Sequence, residues 1–424
     1  MRFLFILALI LVTHSCDSEK QFATNVKDYE KYLNMEASKT TSKYFELWNS
    51  KITSDSTQLL SFGNVASEYN RFFQNTGNIK YLKKAEKALK KAVEIAAVNK
   101  SGYLRALSRN YISQHRFQEA LESALSARSL GSGVKESQQL LFDVHMELGN
   151  YRTAYHYLDS IKDMANFGYL IRAAKYKDHK GNLDGAIAFM EKAKQKAESS
   201  KNKKLMVWTY TNLADFYGHA GRLDESYGHY LKTLALNPSN AYAKKGIAWI
   251  IFSHERNGKE ALRILDSVEG YHASPDHYLL KAEIAEFIGD ETERMDNLKK
   301  YGNLVGNASY GLMYNLPNIQ LYLEESEKLN MAIQIAKDEV ANRATPETYS
   351  MLALAYLKNG YDQKALTIAN SEVYGKSFEP EVLLRLLKIY RANGQYDRAT
   401  NLKKELEEAI FELGPLSQQV IASL

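Results

Sequence analysis

Two Gly-His pairs ten residues apart, Gly218-His219 and Gly228-His229, sit among tyrosines and carboxylates in the stretch NLADFYGHAGRLDESYGHYLKTLALNP, residues 212–238. Histidines beside carboxylates can hold a metal or move protons, but two imidazoles share a helix face at i, i+4, and ten residues is not that spacing. His254-Glu255 begins like a zinc-protease HExxH, with Gly258 where the second histidine belongs. Gly131-Ser132-Gly133 lacks a preceding strand and reads as a helix-ending loop, not a phosphate cradle. There is no GxSxG, no Walker loop and no cysteine placed as a nucleophile. The carboxylate pairs Glu324-Glu325 and Glu407-Glu408 read as solvated helix surface. Neither a metal, a cofactor nor catalysis is expected.

Composition narrows the class further. The 424 residues are 45% apolar, enough to bury a continuous core as several globular domains or one elongated repeat domain. Lys and Arg number 55 against 50 Asp and Glu, a formal charge of +5 spread along the chain, so no clustered basic footprint for nucleic acid is expected. Six prolines suit uninterrupted helices, and 29 tyrosines supply rings with a polar tip for half-buried helix seams.

The N-terminus, MRFLFILALILVTHSC, carries one cation, Arg2, then the apolar run Phe3–Val12 and small or polar residues ending at Cys16. Ten apolar residues span about half of a bilayer core as a helix, so residues 1–15 read as a signal peptide. Cys16, directly after Ser15, resembles the acylated cysteine of a bacterial lipobox, although Thr13 and His14 stand where small or branched apolar residues are usual. The resemblance implies an envelope lipoprotein anchored by Cys16, in the outer membrane. Cleavage after Ser15 without acylation and an uncleaved anchor stay open. Cys16 is the single cysteine, so the fold must hold by burial without disulfides.

The elements that would position any functional side chain repeat at a period of 34. Leu107 and Leu141, Ala120 and Ala154, Leu213 and Ile247, Pro346 and Pro380, Gly360 and Gly394, and Ala365 and Ala399 are all so spaced. Within TYSMLALAYLKNGYDQKALTIA, Leu352, Ala353 and Tyr356 precede Gly360, Ala365 and Ala369; VLLRLLKIYRANGQYDRATNL repeats the order with Leu386, Tyr390, Gly394 and Ala399. Apolar places at three- and four-residue intervals on both sides of a glycine predict helix, tight turn and helix. Each hairpin leaves an apolar face uncovered and must stack on its neighbours, which winds a superhelix lined by the first helices.

This period and internal order resemble the tetratricopeptide repeat family. The resemblance implies an all-α, right-handed superhelical solenoid with ligands along the inner face. Units fall near 53–100, 101–134, 135–166, 167–200, 207–240, 241–274, 275–308, 309–345, 346–379 and 380–413. KNKKLM, residues 201–206, is an insertion. The seventh unit has Arg294 and Met295 where a small residue is expected, and the degenerate eighth, 309–345, has Pro317 at its first helix. Residues 16–52 read as a lipid-anchored tether and a helix over Asn25–Lys51, and 414–424 as a short capping tail.

Inner places implied by the family are Trp208, Thr211, Asp215 and His219 in the unit at 207; Tyr242, Lys245, Trp249 and Phe252 in the next; Arg105 and Arg109 in the unit at 101; and Lys175 and His179 in the unit at 167. An aromatic groove flanked by cations fits an extended peptide or sugar rings, while Trp249 and Phe252 also fit as packing between units. The lysines of IKYLKKAEKALKKAVEIA suit either a wet helix face or an anionic leaflet. The leading expectation is a non-enzymatic scaffold that binds a protein or peptide partner. Alternatives are a glycan-binding or nutrient-uptake lipoprotein and an enzyme on a closed helical ring, which the period of an open stack disfavours. A base-reading RNA-binding repeat of similar length is disfavoured by the near-neutral charge and the signal peptide.

Overall fold

The computed structural model describes residues 23–34, 40–53 and 57–424. Among them there is no strand. Two short helices, α1 (Val26–Leu33) and α2 (Lys43–Asn49), precede ten hairpins. These pair α3 (Leu59–Thr76) with α4 (Ile79–Ile95), α5 (Lys100–Ser113) with α6 (Phe117–Ser129), α7 (Val134–Glu147) with α8 (Tyr151–Ser160), and α9 (Phe167–His179) with α10 (Leu183–Ser199). There follow α11 (Lys203–His219) with α12 (Leu223–Leu236), α13 (Ala241–Ser253) with α14 (Gly258–Glu269), and α15 (Pro275–Ile288) with α16 (Glu291–Val305). The last are α17 (Asn315–Tyr322) with α18 (Leu329–Asn342), α19 (Pro346–Lys358) with α20 (Asp362–Ile368), and α21 (Pro380–Ala392) with α22 (Tyr396–Glu408), followed by α23 (Ile410–Ser423).

The hairpins form for local reasons. Gly360 (φ 77°) and Gly394 (φ 69°) end first helices in the left-handed region, where a Cβ would be strained. Ala365 and Ala399, fully buried, let the second helix lie close against the first. Asparagines at 166, 182, 202, 240 and 257 cap helices by accepting from backbone N–H groups in the first turn. The insertion at 201–206 makes no loop of its own, because α10 and α11 are each 17 residues long and absorb it.

The stack does not stay open. Ala273 N–H donates to the Thr76 carbonyl (2.8 Å), and the Gly149 backbone packs against the Ala344 carbonyl. Gly181 packs against the Phe378 ring, and Gly218 against Phe411. Each contact joins a segment to one 193–197 residues further along, close to six repeats, so the second turn of the superhelix lies on the first. The Asn342 side chain also donates to the His115 carbonyl at 2.9 Å. Tyr310 and Tyr314, between α16 and α17, pack with Ile79 and Leu82 of α4 across the superhelix axis. The inner surface is thereby enclosed, which corrects the expectation of an open stack: a 34-residue period sets the rise of each unit, whereas closure depends on these few long-range contacts.

Both ends also differ from expectation. In place of one helix over Asn25–Lys51 there are two, capped by Asn25 and Ser42. The first leaves the N-terminal units altogether. Tyr29, buried, donates to Glu260 (2.7 Å), Arg263 pairs with Glu30 (2.6 Å), and α1 lies along α12 and α14. Residues 414–424, expected as a short capping tail, are part of α23, which enters the superhelix. Pro415 has no N–H to give the Phe411 carbonyl, and Gly414 (φ 76°) kinks the chain there. That carbonyl accepts instead from Trp249 Nε1 (3.1 Å) and Ser253 Oγ (2.6 Å) of α13. Residues 1–15, expected as a signal peptide, and Cys16 lie outside the described residues.

Turn-on-turn closure can be separated from turn geometry. A Cβ at Gly149 would lie 2.4 Å from the Ala344 carbonyl oxygen, whereas at Gly221, also left-handed (φ 70°), it would meet nothing within 4 Å. Gly221→Ala should cost about 1 kcal/mol of left-handed strain, and Gly149→Ala that plus about 1–3 kcal/mol of overpacking. Urea midpoints of the two variants check the difference.

Candidate functional site

The repeat fails where the chain has room for a site. α14 packs along α15 and α18 along α19, but α16 hardly touches α17, a helix of eight residues. Arg294 and Leu298 of α16 therefore reach an interior cleft of about 830 Å³ that Pro317 also borders. A neighbouring cleft of about 410 Å³ shares Trp249, Glu381, Glu412 and Leu413 with it. First helices α13, α15, α19 and α21 form much of the wall, and α23 lies across it through Leu413, Leu416 and Val420.

Eight carboxylate side chains border the larger cleft against four of Lys or Arg. Three of those cations are already held. Arg343 pairs with Glu339 (2.9 Å) and Glu347 (3.2 Å), Arg294 with Glu286 (3.1 Å), and Arg385 with Glu381 (3.4 Å). Burial pushes the fourth, the Lys388 ammonium, downward. Glu283 has no hydrogen bond or ion pair among the described residues, and burial, reinforced by Glu381 and Glu286, pushes its carboxyl up to about 7. Among the described residues Glu412 of α23 has His219, at 3.8 Å, as its one ion-pair partner, and burial with Glu379 and Asp178 nearby raises it to about 7 as well. Glu324, expected on a solvated helix surface, is exposed but borders this cleft at the end of the short α17.

The residues expected on the inner face divide into two groups. Asp215, His219, Tyr242, Lys245 and Trp249 come together around the smaller cleft. Asp215 is already occupied, accepting from Tyr230 Oη (2.5 Å) and Tyr242 Oη (2.7 Å). The others do not join them. Trp208 stands edge-on to Phe167 outside both clefts, Phe252 is fully buried against Trp249 and Phe287, and Thr211 is buried and bonded to its own helix. The four aromatic rings thus form no continuous groove, because Phe252 is needed for stacking and Trp208 sits at the start of α11.

Arg105, Lys175 and His179 serve the stack itself. Arg105 donates to the Ser132 carbonyl (2.9 Å) and Ser137 Oγ (3.2 Å), Lys175 pairs with Glu147 (2.7 Å), and His179 stacks on Tyr151 at 3.9 Å. Arg109 keeps accessible surface but lies inside the superhelix, where burial lowers its guanidinium against the field of Asp143. Asp143–Arg172, Glu147–Lys175 and Asp215–Tyr242 form rungs between successive first helices, 27 to 29 residues apart. That recurring separation of opposite partners was visible in the sequence and was missed. His229 is buried between Tyr210 and Tyr217, its Nδ1 on the Glu225 carbonyl, and among the described residues no group of three or more His, Cys, Asp or Glu is placed to hold a metal.

Ten stacked hairpins with the 34-residue pattern of Leu, Gly and Ala in their structural places decide the architecture. The chain is built of tetratricopeptide-like repeats. No family model and no curated protein matches it. Among solved structures it is similar to a tetratricopeptide repeat protein from Parabacteroides merdae ATCC 43184, with 18% identity over 56% of this chain and 93% of that one and a TM-score of 0.38. It is similar also to Pseudomonas aeruginosa pilF (15% identity, 50% of this chain and 94% of that one, TM-score 0.37). A third is a Rap protein complexed with competence and sporulation factor (13% identity, 62% and 78%, TM-score 0.46). These tetratricopeptide-like repeats line an interior cleft.

Glu283 carries a pH signature. Its folded-state value near 7 exceeds the ordinary carboxylate value of 4.5, so the folded state binds the proton more tightly and stability falls as pH rises from about 4.5 to 7. Glu283→Gln removes this dependence. Its urea midpoint should match the parent near pH 4.5, exceed it increasingly up to about pH 7 and hold that margin above, as equilibrium unfolding at several pH values will show.

Proposed function

We propose that the protein captures a segment of another protein in its interior cleft and performs no chemistry of its own. The observation that carries this reading is the interior cleft of about 830 Å³, with walls both apolar (Leu280, Leu298, Leu316, Leu416) and charged, at the place where the repeat departs from its pattern. Pockets of this size and mixed lining suit side chains of a bound segment. Superhelical repeats supply such inner surfaces from side chains not required for stacking. Photo-crosslinkers at Gln320, which borders the cleft, and at Lys87, exposed on α4, test it. Adducts with a discrete protein should form at position 320 and not at 87; equal labelling at both would refute the cleft as the capture site.

We propose further that the chain is an envelope lipoprotein held by Cys16, which places the cleft within reach of other envelope proteins. The support is the apolar run Phe3–Val12 ending in Ser15-Cys16. A fatty-acid analogue fed to producing cells should label the mature chain and not its Cys16→Ala variant; an unlabelled parent chain that stays soluble would overturn the anchor.

A further inference from the structure

We infer that the segment taken by the cleft is cationic, a Lys or Arg flanked by apolar residues, an inference that rests on the capture reading above. The cleft has an excess of carboxylates over cations, and its own cations are largely spent on internal pairs. What is left over is negative and lies at one place. Gly414, at the kink of α23, stands between Glu283 and Trp249: a Cβ there would be 3.0 Å from Glu283 Oε1 and 3.1 Å from the Trp249 ring. The carboxylate and the edge of the indole are therefore within about 6 Å of each other. A cation entering beside that kink would meet an unpaired carboxylate, which holds ammonium and guanidinium groups by charge-assisted hydrogen bonds, while the indole edge beside it offers the apolar contact for a flanking residue.

The protein's own occupant of the cleft is electrostatically mismatched. α23 presents Leu413, Leu416 and Val420 to the walls, a good apolar fit, but it also brings Glu412, whose charged neighbours Glu379 and Asp178 are acidic and whose basic neighbour is His219 at 3.8 Å. Lys388, on α21, is the remaining free cation at the larger cleft among the described residues, and it faces Glu381 and Glu324. Burial of unpaired carboxylates raises the proton affinity of Glu283 and Glu412 alike, as expected where a positive charge is missing. An anionic segment would add like charge to this set, and such juxtapositions disfavour binding.

The test uses the mature chain and two fluorescent dodecapeptides of identical Leu and Ala pattern, one with lysines and one with glutamates at the remaining positions. Anisotropy should show the lysine peptide binding about tenfold or more tighter, a gap that narrows with added salt. Glu283→Lys should weaken the lysine peptide about tenfold and Glu283→Gln by less. The Gln variant, being isosteric, reports even where the Lys variant fails to fold. Equal binding of both peptides, preference for the glutamate peptide, or lysine-peptide affinity unchanged in Glu283→Gln would overturn the cationic assignment while leaving capture standing. Binding of neither peptide, nor of an uncharged version with serine at those positions, would overturn the capture reading and this inference with it.

Discussion

One carbonyl group controls the interior of this molecule. Pro415 cannot donate to Phe411, so the Phe411 carbonyl would be an unpaired acceptor in a buried place, a cost that native structures rarely leave standing. Trp249 Nε1 and Ser253 Oγ, from a hairpin some 160 residues earlier, both donate to it. The interaction seats α23 against α13, brings Phe411 onto Gly218, and sets Glu412, Leu413 and Leu416 at the cleft wall. Buried Leu413 and Ile421, and the Arg256 bond to Gln418 (2.7 Å), hold the same helix in place beside it.

The rest of the enclosure follows from ordinary repeat physics with a few exceptions. Hairpins stack because each exposes an apolar face, and their first helices are tied by rungs such as Glu147–Lys175 and Asp215–Tyr242. Those rungs consume much of the polar chemistry in the early and middle units. In the seventh and eighth units the pattern lapses: Arg294 occupies a small-residue place, α17 is short, and Tyr310 and Tyr314 pack on α4. Side chains that would have stacked neighbours line a cavity instead. The loss of regularity that weakens the repeat opens the cleft in which Glu283, among the described residues, has no internal partner.

Legibility from the sequence tracked the range of the forces involved. The glycine turns at 360 and 394, the alanine seams at 365 and 399 and the helical period are local and were readable, as was the departure at Arg294 and Pro317. The candidate site was readable only in part. Tyr242, Lys245 and Trp249 do meet at a cleft, but Trp208, Arg105 and Lys175 are elsewhere or engaged. The carboxylates that dominate the cleft, Glu283, Glu381 and Glu412, looked like any exposed helical glutamates.

What the sequence determined by itself is therefore the unit: a helix, a turn that demands a left-handed residue, a second helix with a small seam, and the need to stack. Those requirements act over a few residues and leave a period that can be read. Only the tertiary structure decided that the stack winds onto itself after about 195 residues, that α1 lies along α12 and α14, and that α23 enters the interior. Each of these depends on shape matching between segments far apart in the chain, such as an orphaned carbonyl and an indole N–H. No local pattern of residue types encodes such a pairing, because either partner alone is satisfied equally well by water.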